Sequence, residues 1–203
     1  MNKPERCRKL YEYDCSLWAE GLVFAGIDEA GRGPLAGCVT AVCVVMPNAP
    51  AVLYVDDSKK VPEALRYKLF DEIAKHALYI GVGRASVEEI EEINILQATR
   101  LAMRRAARGA PVSLFLVDAV GGLGLEAERP IIHGDEISYS IAAASIIAKV
   151  TRDREMQQLD RAYPGYGFFH NKGYGTAEHM AAIRSLGLCP LHRKAFVTRI
   201  ELP

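Results

Sequence analysis

The sequence has no apolar run approaching the ~18 residues that a membrane-spanning helix needs. Its N-terminal stretch, MNKPERCRKLYEYDCSLW, carries charges with no apolar core behind them. A membrane span and a secretory signal are excluded on this reading, and a cytoplasmic protein is expected. None of the five cysteines (Cys7, Cys15, Cys38, Cys43 and Cys189) forms a CxxC pair, and their number is odd. Cys38 and Cys43 fall in a strand-like apolar run, where cysteine behaves as a small hydrophobe. Structural thiols are therefore expected rather than metal or redox centres. Internal repeats, low-complexity tracts and linkers are missing too. Net charge is also missing, since 25 Lys and Arg balance 25 Asp and Glu, so nothing global marks a nucleic-acid binder. The balance is not uniform along the chain. From Lys149 to Pro203 there are nine Lys and Arg against five Asp and Glu, which leaves a basic flank.

What is present suits a single well-cored unit. The chain has 203 residues, half hydrophobic and a quarter charged, enough for one domain with room for a small appendage. The stretch LVFAGIDEAGRGPLAG, residues 22 to 37, organises the rest. Its apolar run from Leu22 to Ile27 reads as a buried strand that stops at two adjacent carboxylates, Asp28 and Glu29. A Gly-Arg-Gly-Pro turn follows. Neighbouring side chains on a strand point to opposite faces, so both acids reach one ion only if the strand bends or a backbone oxygen substitutes. An acid pair closing a strand before an ordinary glycine turn is the plainer reading of these residues alone.

Residues 1 to 20 read as a helical lead-in, with Leu10, Tyr11 and Trp18 available to pack. Leu35 to Met46 reads as a second buried strand, stopped by Pro47 and Pro50. Leu53 to Val55 reads as either a short strand or loop. Pro62 opens a helix with Leu65, Leu69 and Ile73 on one face. The polar loop before it, Asp57-Ser58-Lys59-Lys60, is open to two readings: a solvated helix entry or a phosphate contact. A strand is expected over Ala77 to Ala85. Ser86 then caps a helix opening on Glu88 and Glu89. A further helix from Asn94 to Arg108 should turn Leu96, Met103 and Ala106 inward and its arginines mostly outward.

Ser113 to Val117 is a buried strand ending in Asp118, and a short strand near Pro130 to Ile132 leads to His133-Gly134-Asp135-Glu136. The small residues Ala142 to Ala144, Ser145 and Ala148 allow a close-packed helix with a charged, exposed second half. PGYGFFHNKGYGT combines aromatics, glycines and basic groups, as expected where sugars or bases stack. A last helix should run from Thr176 to Gly187. This alternation predicts a mixed α/β sheet in one domain.

Three strand ends thus supply acids: Asp28 with Glu29, Asp118, and Asp135. Carboxylates gathered away from water repel one another and raise their pKa values. Divalent cations resolve that conflict, and an all-oxygen donor set favours magnesium or manganese. Two such ions roughly 4 Å apart activate water and stabilise the leaving oxygen of a phosphodiester.

GIDEAGRGPLAG, DDSKK, NILQATRLAM, SIAAASIIAKVTRDREM, YPGYGF, HNKGYGTAEH and P-x-HR together resemble bacterial ribonuclease HII, from about Ala25 to Phe196. The resemblance implies a ribonuclease H-like fold, a five-stranded mixed sheet flanked by helices, with a small C-terminal helical part from about residue 164. It implies cleavage of RNA in RNA–DNA hybrids and incision 5′ of ribonucleotides embedded in duplex DNA, leaving 3′-hydroxyl and 5′-phosphate ends. It makes Asp28, Glu29, Asp118 and Asp135 the catalytic acids, holding two divalent cations, Mn2+ or Mg2+. Asp153 is a weaker fifth candidate.

By the same resemblance Gly31, Arg32 and Gly33 hold the phosphates around the ribonucleotide, where a Cβ would obstruct the approach. Tyr174 packs on its sugar, Lys59 and Lys172 lie near the nucleic-acid backbone, and Ser145 reaches a DNA-strand phosphate. Four positions depart from the family's habit: His133 for lysine, Cys38 for proline, Ala119 for glycine and Asn171 for histidine. None removes a carboxylate, so they bear on metal preference and pH optimum. A monomer with no membrane association and no obligate protein partner is expected. The short N-terminal stretch argues against the type III enzymes, and the short C-terminal stretch leaves no clamp-binding tail.

Overall fold

A computed structural model describes residues 3–49 and 52–198. Helix α1 (Lys3–Ala19) leads into strand β1 (Phe24–Ala30), which pairs antiparallel with β2 (Val39–Val45). Helix α2 (Glu63–His76), strand β3 (Tyr79–Ala85), helix α3 (Val87–Ala107) and strands β4 (Leu114–Asp118) and β5 (Glu128–Ile131) follow. Helix α4 (Tyr139–Ala162), the one-turn α5 (Phe168–Asn171) and α6 (Ala177–Leu186) complete the order. The sheet runs β3-β2-β1-β4-β5, with β1–β4 and β4–β5 parallel and the other pairs antiparallel. The expected five-stranded mixed sheet flanked by helices is present.

Burial on both faces explains why the central strands are so apolar. Every residue of β2 is buried. Val42 and Val44 pack with α2 and α4, while Ala41, Cys43 and Val45 pack with α3. α4 lies hard against β1: a Cβ on Gly26 would stand 2.2 Å from the Ser140 carbonyl carbon. Small residues on α4 and a glycine on β1 therefore permit the close approach expected from the alanines. Asp14 of α1 pins the start of α4, accepting from the Ser138 hydroxyl at 2.7 Å and the Ser140 amide at 2.8 Å. Desolvation raises its pKa to about 6 despite those bonds.

Several boundaries differ from expectation. β1 starts two residues later and continues through Asp28 and Glu29 to Ala30, because β2 goes on pairing with it as far as Ala30↔Thr40. Leu35 to Cys38 belongs to a loop rather than to β2, and Leu53 lies in a turn. Pro50 lies outside the described residues, as do residues 1–2 and 199–203 of the two terminal parts. The second helix expected from Asn94 does begin there: α3 breaks at Asn94 (φ 65°), whose carboxamide oxygen accepts from the amides of Leu96 and Gln97 and so restarts the helix. Within it Met103 and Ala106 are buried as expected, with Ala98 and Ala102, whereas Leu96 in the first turn faces solvent. The second half of α4 is not uniformly exposed either, since Arg152 and Asp153 are buried.

Candidate active site

Strand alternation divides the first two acids between faces. Gly26 and Asp28 look toward α4, whereas Ala25 and Ile27 pack on the α3 side and Glu29 follows them. Both nevertheless line one cleft of about 490 Å3 at the end of β1, with Asp118, Lys59, Lys149 and Tyr174 around it. Asp118 closes β4, and its Oδ1 accepts the Gly134 amide at 2.6 Å. Asp135 follows in the turn after β5, with its Oδ2 3.8 Å from Lys59 Nζ. Thus β1, β4 and the β5 turn, adjacent in the sheet, deliver the four acids to one end of it.

The electrostatics of this end are unfavourable without a counter-charge. Burial, then Glu29, Asp118 and Asp135, hold Asp28 well above the usual carboxylate range. Burial likewise raises Glu29, against the pull of Arg32 3.4 Å away. Burial and Asp118 lift Asp135 to about 6. Burial opposes the charge of Lys59, yet Asp57, Asp135 and Asp28 more than offset it and raise its pKa. Glu29 Oε2 is buried with no hydrogen-bond partner among the described residues. An unpartnered carboxylate oxygen among mutually repelling acids, with only oxygen donors, suits a hard divalent cation. Among the described residues no three acids, histidines or cysteines are already drawn around a common point. The four carboxylates share one sheet end.

The glycine turn is held from below. Arg193, fully buried, donates to the carbonyls of Gly31, Arg32, Pro34, Gly37 and Cys38 at 2.6 to 3.2 Å. Arg152 donates to the carbonyls of Ala36, Cys38 and Lys172 at 2.9 to 3.2 Å, joining this turn to the Tyr174 loop. Gly31 has φ 99°, and a Cβ there would lie 2.2 Å from Arg152 Nε. Gly33 is different: a Cβ would meet only Tyr174 Cε1, at 4.0 Å. Gly31→Ala is therefore expected to lower stability by about 1–3 kcal/mol. Gly33→Ala should leave the melting temperature nearly unchanged and impair cleavage. Thermal melts of both variants beside cleavage assays check the contrast.

The other expected contacts divide. Lys59, Arg32, Gly31, Gly33 and Tyr174 line the cleft. Ser145 stands behind it, its hydroxyl donating at 2.9 Å to Ser58, which does line it. Lys172 turns away, its Nζ bonded to the Phe169 carbonyl of its own loop. Asp153 is held by Lys149 at 2.7 Å and Arg66 at 3.6 Å, an ion-pair role rather than a place among the four acids. Of the loop aromatics only Phe169 and Tyr174 are exposed, while Tyr166 and Phe168 are buried.

The lining also includes residues that the sequence reading does not single out: Lys149, 5.5 Å from the Tyr174 ring centre, Ala30, Ile95 and Phe196. Only the position of Lys149, one turn beyond Ser145 on the same helix, offered a signal. The departures also have places. Ala119 and His133 both take left-handed backbone (φ 48° and 56°), which explains a glycine habit at 119. Asn171 bridges the Tyr166 carbonyl and the Gly173 amide, each at 2.7 Å.

A β3-β2-β1-β4-β5 sheet gathering acids from β1, β4 and the β5 turn beside a glycine-lined cleft defines a ribonuclease H-like nuclease. The comparisons agree. The family model described as Ribonuclease HII matches residues 25–200. Ribonuclease HII of Lachnoclostridium phytofermentans is 50% identical over 198 residues, covering 96% of this chain and 78% of that protein. Ribonuclease HII of Caldanaerobacter subterraneus subsp. tengcongensis is 46% identical over 200 residues, covering 97% and 83%. The solved PCNA:RNase HII complex from Archaeoglobus fulgidus contains a similar chain, with TM-score 0.74 and 26% identity over 90% of this chain and 96% of that one. The chain belongs to the ribonuclease HII family. Its activity is that of a ribonuclease H, an endonuclease that hydrolyses phosphodiester bonds.

Proposed function

We propose that this chain cleaves the RNA strand of RNA–DNA hybrids and incises duplex DNA on the 5′ side of single embedded ribonucleotides, as one catalytic unit. The observation that carries this reading is the sharing of one cleft by Asp28, Glu29 and Asp118 with Gly31, Gly33 and Tyr174, and with Asp135 behind Lys59. The acids are suited to hold two divalent cations, magnesium or manganese. When bound, the cations lower the pKa of the attacking water and stabilise the leaving 3′ oxygen. Breaking the P–O3′ bond leaves 3′-hydroxyl and 5′-phosphate ends.

The residues around the acids supply recognition. Arg193 and Arg152 occupy the carbonyls of the 31–38 turn from below and hold its shape for a phosphate and a 2′-hydroxyl to approach. The amides of Leu35 and Gly37 bond the Gly173 and Leu191 carbonyls, which leaves those of Arg32 and Gly33 to meet an anion. Gly33 leaves space that the fold itself does not need. Tyr174 offers a ring to the ribose, and Lys59 and Lys149 offer charge to the phosphates. Such a role fits removal of ribonucleotides and RNA primers from DNA in the cytoplasm. Among the described residues no helix is long and apolar enough to cross a membrane.

A labelled duplex containing one ribonucleotide tests the reading, incubated with magnesium, with manganese or with chelator. A single cation-dependent nick 5′ of the ribonucleotide is expected. Cleavage only where several ribonucleotides follow one another would remove the single-site specificity. Cleavage in chelator would remove the cation requirement.

A further inference from the structure

The histidines of the GYGTAEH and PLHR motifs take no part in the chemistry above. They meet beneath the Tyr174 loop. His179 on α6 and His192 in the following loop are 0% and 3% exposed, with their Nε2 atoms 3.1 Å apart. At that distance one nitrogen donates and the other accepts.

Their outer nitrogens decide which. His192 Nδ1 accepts the Cys189 backbone N–H at 2.9 Å. The Cys189 carbonyl is 3.2 Å from the same nitrogen but already accepts the backbone N–H of His192 at 3.0 Å. The hydrogen of His192 is therefore assigned to Nε2, which donates to His179. His179 keeps its own on Nδ1 and donates to the Tyr174 carbonyl at 2.9 Å. The reverse orientation would face two donors at Cys189 and a lone pair against that carbonyl. Burial favours the neutral rings, pulling His179 below the usual histidine value and His192 down to about 4. Phe168 stands edge-on to His179 at 5.3 Å and Tyr166 to His192 at 5.0 Å, walling the pair.

Tyr174 has glycine on either side, and Gly173 has φ 83°. Glycine has little conformational preference of its own, so hydrogen bonds fix this peptide: the Tyr174 amide donates to the Asn171 carbonyl at 2.9 Å, and its carbonyl accepts the Thr176 amide at 2.8 Å besides His179. We propose that His179 and His192 are positioning residues for Tyr174. On this account a one-way hydrogen-bond chain, from the Cys189 backbone through both imidazoles to the Tyr174 carbonyl, sets the place of the tyrosine ring in the cleft and the enzyme's preference for an isolated ribonucleotide. This rests on the reading of Tyr174 as the ribose-sensing residue.

The test compares kcat/KM on a duplex with one ribonucleotide against kcat/KM on an RNA–DNA hybrid, using the full chain. His179→Leu should lower that ratio roughly tenfold, the scale of one buried hydrogen bond. His179→Asn, whose amide can stand in for Nδ1–H, should recover most of it. In a Tyr174→Ala background His179→Leu should change the ratio no further. Equal losses for the Leu and Asn variants, or a full additional loss on Tyr174→Ala, would overturn the positioning role while leaving ribose sensing intact. A Tyr174→Ala ratio equal to wild type would remove the sensing role and the positioning role together. Nitrogen NMR of the unaltered protein reads the pair without any variant. Hydrogens on His192 Nε2 and His179 Nδ1 are expected, and a hydrogen on His192 Nδ1 would overturn the chain.

Discussion

Asp118→Asn should lower turnover by at least ~10³-fold, the scale on which one member of a catalytic unit acts, while hybrid binding stays largely intact. The substitution is nearly isosteric. An asparagine oxygen can keep the bond to the Gly134 amide that Asp118 Oδ1 makes at 2.6 Å, so the turn carrying Asp135 should hold. Only charge is lost. Because Asp118 raises Asp28, Glu29 and Asp135, its removal should also relieve repulsion in the cation-free protein. A gain of roughly 1 kcal/mol would raise the melting temperature at neutral pH by about 2–4 °C. Single-turnover cleavage, hybrid binding and a melt of the same preparation check all three outcomes. A variant cleaving at a comparable rate would show that Asp118 is not among the essential acids.

Tyr174→Ala has the second largest expected effect, and it depends on substrate. The ring is 42% exposed in the cleft and lies 5.5 Å from Lys149 Nζ and 5.9 Å from the Arg152 guanidinium carbon. It thus has two cations beside it and surface left open to a nucleotide. Losing a stacked ring costs roughly 1–3 kcal/mol, or about 10- to 100-fold, in kcat/KM at an isolated ribonucleotide. A long hybrid offers many ribonucleotides in alternative registers, so its loss should be smaller. Equal losses on both substrates would remove the sensing role.

Asp28, Glu29 and Asp118 were legible because buried apolar strands end in them, whereas β5 is not buried and Asp135 after it was legible by its place beyond a short strand and by resemblance. The glycine turn and Tyr174 were legible by resemblance. The supports of that turn were not. Nothing local distinguishes Arg152 and Arg193 from surface arginines, and their burial depends on carbonyls of residues 31 to 38 that only tertiary folding brings to them. For the same reason Asp153 read as a possible ligand although Lys149 and Arg66 hold it. The helix start at Asn94 was legible, but Leu96 was misplaced: it lies in the first turn of that helix, beside rather than on the stripe of Ala98, Ala102 and Ala106 that packs on the sheet. β1 proved longer than its apolar run because strand pairing, which is not visible in hydropathy, continues through Asp28 and Glu29 to Ala30.

Burial and neighbouring carboxylates hold Asp28, Glu29 and Asp135 above the usual carboxylate range, a conflict that a bound cation would relieve. Raised folded-state values mean that the native protein binds more protons than the unfolded chain as pH falls through about 6, the value for Asp135. Without cations, then, these acids favour the fold at low pH, and that contribution is lost as pH rises. His179 and His192, held low, oppose this trend between the ordinary histidine value and about 4. The clean quantity is therefore the difference in melting temperature with and without cation at each pH, in which the histidine contribution cancels. The measurement is a melt across pH 5 to 8 with magnesium, with manganese and with chelator. A cation-induced rise at pH 7.5 that shrinks as pH falls through about 6 is expected. A shift that is absent at every pH, or as large at pH 5 as at pH 7.5, would contradict it.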